Sequence, residues 1–191
     1  MIDTIEVDGL LGKLESLEEG SAIALKFDIE SYFDIITGIC DDFVDDRDMN
    51  VIYETSTIPA GSILDLLEAL DVSLDPLNFV DAVSYMTMGA DSRSAGVTFV
   101  ESPTMLENIM LKIEYLLKKH PADQNTVVLD SINSLAIHND SKILAEFLHI
   151  LISSLRAHDC YTIILSVSEQ ESEEIDNILA MVCDDIIEVS G

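Results

Sequence analysis

The stretch Asn125-Thr-Val-Val-Leu-Asp130-Ser-Ile-Asn-Ser134 constrains this chain more than any other. An apolar, β-branched run that ends in a carboxylate and then a hydroxyl has the composition of a parallel strand covered on both faces. Such a strand delivers its acid to the carboxyl edge of an α/β sheet, where ligands sit. An Asp in that place can help to hold a magnesium ion, but only opposite a glycine-rich loop that ends in Lys and Ser or Thr. No segment of the chain has that pattern.

The remainder of the chain repeats the same alternation. Ala22-Ile-Ala-Leu-Lys-Phe27 is short, apolar and bounded by Gly20 and Asp28, which predicts a buried strand. Ser31 is an acceptable N-cap for a helix carrying Phe33, Ile36, Cys40, Phe43 and Val44 inward. Val51–Tyr53 reads as a strand, Pro59 opens a helix through Ile63, Leu66, Leu67 and Leu70, and Leu77–Val83 reads as a third strand. The stretch from Met86 to Gly96 is rich in Gly, Ser and Asp and reads as a mobile loop. Val97–Val100 reads as a short strand, and an amphipathic helix follows Pro103 through Leu106, Ile109, Ile113 and Leu116 to Lys118-Lys119. A helix over Lys142–His158, a strand over Cys160–Val167, a short helix around Ile178 and Leu179, and a last strand over Asp185–Val189 complete the pattern. Residues 1–19 read as a polar lead-in. This order predicts one α/β domain over residues 1–191, with a mostly parallel sheet and helices on both faces.

Charge narrows the partners. The formal net charge is −28, from 37 acidic against 9 basic residues, so the surface repels phosphodiester backbones and anionic lipid. Neither nucleic acid nor a membrane is an expected partner. No apolar run approaches the roughly 20 residues that span a bilayer, and the start lacks a basic segment followed by an apolar one, so a cytoplasmic location is expected. The three cysteines, Cys40, Cys160 and Cys183, are scattered and form no C-x-x-C pair. Nor is there a Gly-x-Ser-x-Gly elbow or an indicated Cys–His pair. Among the four histidines only His138 falls near the Asp130 edge, with Asp140, which is too little to expect a metal.

With the elements in place, the chain resembles the RecA-like branch of P-loop NTPases, in particular the KaiC-like proteins of archaea and bacteria. Leu10–Ser21 is similar to that family's lead-in to its first strand, Tyr53-Glu54-Thr55 to the strand end that bears an acid, and Val127-Val-Leu-Asp130-Ser131 to its Walker B strand. Cys183–Val189 is similar to its closing strand or hairpin. The resemblance covers nearly the whole chain and implies a three-layer RecA-like fold. It also implies a nucleotide at the carboxyl edge, a Walker B-like Asp130-Ser131 whose Asp130 helps to hold a magnesium ion, and a water oriented by Glu54.

The chain departs from the family where the phosphate loop should be. That segment reads Phe27-Asp28-Ile29-Glu30-Ser31-Tyr32-Phe33-Asp34, without a glycine or a lysine. Backbone amides there cannot wrap a triphosphate as a glycine-rich nest does. Aligned without gaps, Phe33 takes the lysine position and Asp34 that of the magnesium-binding hydroxyl, while Asp28 and Glu30 add charge that repels phosphate. Glu54 is then expected to be a helix-entry or surface acid, and Asp130 to hydrogen-bond Ser131 or the N-terminal amides of the next helix. The expected function is a degenerate ATPase-fold module that regulates or binds other proteins or its own copies, with no cofactor. Two further readings stay open: a nucleotide-binding protein or slow ATPase using Asp130 and Mg-ATP through an unorthodox loop, and a small-molecule sensor.

Overall fold

The computed structural model describes residues 2–44, 49–75, 77–85, 96–119, 124–170 and 172–190. Eight strands form one sheet: β1 (Ile2–Glu6), β2 (Ala22–Phe27), β3 (Asn50–Thr55), β4 (Leu77–Asp81), β5 (Val97–Phe99), β6 (Asn125–Asp130), β7 (Tyr161–Val167) and β8 (Asp185–Ser190). Their order is β1-β8-β2-β7-β6-β3-β4-β5, and every neighbouring pair is parallel. The sheet is therefore wholly parallel where a mostly parallel one was expected.

Among the described residues seven α-helices cover it: α1 (Leu10–Glu15), α2 (Tyr32–Thr37), α3 (Ala60–Ala69), α4 (Leu106–Lys119), α5 (Ile132–His138), α6 (Ser141–Arg156) and α7 (Glu173–Val182). From β2 the chain moves across the sheet to β3 and β4, and it returns through β6, β7 and β8. A right-handed crossover puts its helix on one face going out and on the other coming back. The core divides accordingly. Leu14, Ile35, Ile36, Ile63 and Leu67 of α1–α3 pack on one face with Leu25, Tyr53, Val128 and Ile163. Ile109, Ile113, Leu135, Leu148, Leu151 and Leu179 of α4–α7 pack on the other with Ile52, Val127, Leu129 and Ile164. Alternate residues of one strand thus serve two cores, which explains why its sequence is apolar throughout.

Three differences from the sequence reading bear on the site. Residues 1–19 are not merely a lead-in, because Ile2–Glu6 forms an edge strand on β8 and α1 follows. The helix after β2 is not capped by the Ser31 side chain; Ile29–Ser31 makes a 3-10 turn that leads directly into α2, which continues as a π-helical segment over Gly38–Phe43. That approach turns Tyr32 inward and leaves Phe33 half exposed. Finally, Ser131 caps a short helix, α5, which the sequence reading passed over: its Oγ accepts from the Ser134 amide at 3.3 Å. Of the stretch expected to be a mobile loop, 86–95 lies outside the described residues, and Gly96 begins the approach to β5 with φ of +81°.

Candidate functional site

The carboxyl ends of β6, β3 and β2 meet around Asp130. The side chain of Asp130 is fully buried on the α1–α3 face. Three hydroxyls donate to it. Tyr32, at the start of α2, and Tyr53, on β3, both donate to Oδ2, the latter at 2.8 Å. Thr57, on the turn after β3, donates to Oδ1 at 3.1 Å and lies 3.3 Å from Ser131 Oγ. The Ser56 amide and hydroxyl bond the Asp130 carbonyl at 2.7 and 3.2 Å, and Ser134 Oγ donates to the Ser56 carbonyl at 2.6 Å. The Asp130–Ser131 peptide is cis.

Burial pushes the Asp130 carboxyl up to about 6, against the lowering influence of its three hydroxyl donors. Both tyrosines are pushed up, first by burial and then by the Asp130 charge, so they stay protonated donors. Each Asp130 carboxylate oxygen thus accepts at least one protein hydroxyl.

The segment that replaces the phosphate loop is built of substitutes. In G-x-x-x-x-G-K-[ST], a lysine position at 33 puts the glycines at 27 and 32. Phe27 and Tyr32 stand there, their rings 6.1 Å apart and buried. Tyr32 fills with its ring the space that a glycine would leave open. The Ile29 amide, which faces out of this turn, donates to both oxygens of Glu169 at 3.1 and 3.2 Å, so a carboxylate of the β7–α7 connection already uses it. Asp28, Glu30, Phe33 and Asp34 are exposed, while Ser31 is buried in the turn. Lys26, the nearest base, points to the opposite face of the sheet and pairs with Asp176 of α7 at 2.7 Å.

Glu54 is neither a surface acid nor a helix-opening one. It is fully buried, neither of its oxygens has a partner in full hydrogen-bonding geometry among the described residues, and strand alternation places it on the α4–α7 face, away from the Asp130 side chain. Burial foremost, with the Asp130 and Asp81 charges, holds its carboxyl well above the usual range, and the Asp130 backbone offsets this in part. The acid that does bind a helix end is Asp81, which the sequence reading did not single out. Its Oδ2 accepts from the Ala60 amide at the start of α3 at 2.8 Å and from Ser84 Oγ at 2.6 Å; its Oδ1 accepts from the Val83 and Ser84 amides. Its place after the apolar run Leu77-Asn-Phe-Val, like that of Asp130 after its own run, was the available signal. Among the described residues no group of three or more His, Cys, Asp or Glu side chains could hold a metal ion, and Asp140 is used in capping α6 through the Lys142 amide.

These features define a RecA-like α/β fold of the KaiC type with an occupied carboxyl edge. Solved structures that share that fold include two proteins of known source. Over 90% of this chain and 72% of the other, it is similar to a KaiC-like protein of the hyperthermophilic archaeon Pyrococcus horikoshii, with a TM-score of 0.62 and 15% identity. It is likewise similar to the flagellar accessory protein FlaH of Methanocaldococcus jannaschii, with a TM-score of 0.64 and 14% identity over 96% of this chain and 77% of the other. No protein-family model matches the sequence, and no curated protein matches it. At these identities the likeness is one of fold. Among the described residues, no helix is long and apolar enough to cross a membrane.

Proposed function

We propose that this domain has the RecA/KaiC fold without its ATPase chemistry and acts by contact, as a regulatory or protein-interaction module. The observation that carries this reading is the Tyr32 hydroxyl on Asp130, from the position of the phosphate loop's last glycine. A side chain anchored there occupies the path of a phosphate tail, and both Asp130 carboxylate oxygens accept protein hydroxyls. The Glu169 carboxylate on the Ile29 amide supports the same reading, since an anion bound there would have to displace a tethered one. A contact role is in keeping with the accessory function named for the FlaH neighbour. The partner is a protein or a second copy, in a cytoplasmic setting.

The test is the melting temperature of the native chain and of Asp130→Asn, each with and without millimolar MgATP at matched ionic strength. A site filled at 100 times its Kd stabilises by about 2.7 kcal/mol, or about 5–10 °C for a chain of this size. The expected shift is none in either protein. A shift in the native chain that Asp130→Asn abolishes overturns the proposal in favour of an Asp130-centred magnesium–nucleotide site. A shift with non-phosphorylated metabolites alone would make the domain a small-molecule sensor.

A further inference from the structure

On the face opposite Asp130, α4 and α6 leave an apolar groove between them. Leu106 and Phe147 form its buried floor, and Met110, Ile143 and Ile150 form its walls, around a cavity of about 280 Å³. Ile143 and Ile150 are 59% and 47% exposed, a large solvent contact for isoleucines that flank the covered Leu106 and Phe147. The spacing matters: 106 and 110 on one helix, and 143, 147 and 150 on the other, are ridges at i, i+4 and i+7. Two parallel ridges with a furrow between them receive the apolar stripe of a third helix.

The rim selects the partner. Glu107 and Glu146 complete the lining, and no lysine, arginine or histidine is part of it. A second copy docked about a two-fold axis would bring these glutamates against their own equivalents, on a chain that already carries −28. An anionic membrane meets the same repulsion. A helix with a leucine-like stripe flanked by lysine or arginine meets neither, and its cations pair with the rim. We infer that the α4–α6 groove is a docking site for a short basic amphipathic helix of another protein. This surface is independent of the Asp130 cluster and of the reading built on it.

The probe is a fluorescein-labelled peptide of about 18 residues, made of Leu and Lys with Leu at helical spacing. It is titrated with the full chain and followed by fluorescence anisotropy. A peptide of the same composition in scrambled order and a Leu/Glu version serve as controls. Saturable binding of the amphipathic basic peptide is expected, weakened about tenfold by Ile150→Glu and by Glu107→Lys combined with Glu146→Lys. Ile150 is half exposed and both glutamates are exposed, so these variants are expected to fold, which helical melting curves check. Equal binding of the scrambled peptide would reduce the effect to bulk charge and overturn the inference. So would the absence of saturable binding, or indifference to Ile150→Glu. Sedimentation equilibrium showing a dimer of the chain that Ile150→Glu dissolves would assign the groove to a second copy instead.

Discussion

Replacing Asp130 by Asn removes a buried charge while keeping its partners. The amide oxygen can accept both tyrosine hydroxyls and the amide nitrogen can donate to Thr57, so packing and hydrogen bonds survive. What changes is the linkage to pH. The Asp130 carboxyl ionises near 3.8 when free and near 6 when folded, so between those values the folded chain holds a proton that the unfolded chain has released. Its contribution to stability is largest below 3.8, falls as pH rises, and is constant above about 6. A shift of roughly two units corresponds to about 3 kcal/mol. The stability of Asp130→Asn relative to the native chain should therefore rise by about 3 kcal/mol between pH 3.5 and pH 7, or about 6–12 °C in melting temperature. Glu54 titrates in the same sense and feels the Asp130 charge, so the comparison is repeated in a Glu54→Gln background, where the difference belongs to Asp130 alone. Urea unfolding at half-unit pH intervals reads it directly. Parallel pH profiles for the two proteins, or a native chain that gains on the variant as pH rises, would refute the reasoning, since either would mean that the hydroxyl cage outweighs burial.

Two other substitutions probe the same region. Tyr32→Phe withdraws one donor from a buried carboxylate and should destabilise by about 1–3 kcal/mol in urea at pH 7, with the Asp130 carboxyl moving further upward. Glu54→Leu replaces a buried carboxyl that has no partner in full hydrogen-bonding geometry among the described residues with a side chain suited to its apolar surroundings, and should stabilise by about 1–3 kcal/mol at pH 7; a lower melting temperature would show that Glu54 has a partner.

Strands such as β6 and β7 were legible because burial on two faces demands an unbroken β-branched run, and α4 and α6 because their inward residues recur at helical spacing. The Asp130 position was legible for the same reason. Its cage was not. Whether Tyr32 or Phe33 turns inward depends on the 3-10 turn at Ile29–Ser31, and a shift of one residue there rotates the helix by about 100°. Both are aromatic, so composition could not separate them. Edge strand β1 was hidden because its support comes from β8, at the far end of the sequence, rather than from its own pattern. For Glu54, strand parity alone would have given its face, but not that its oxygens find no well-placed partner among the described residues.

The place of β8 between β1 and β2 has a consequence for how the molecule is made. Of the eight described strands β1 is synthesised first, yet β8, the strand it pairs with, is synthesised after all the others. Until β8 is made, β1 lacks the strand it pairs with, and the flank of β2 that will receive β8 stays open. An intermediate of this kind carries a free strand and an unpaired edge together, the two parts that join one chain to another by exchange. Truncation before Asp185 would therefore cost two strands rather than one, and the truncated chain should be prone to swapped or aggregated forms that the complete sheet prevents.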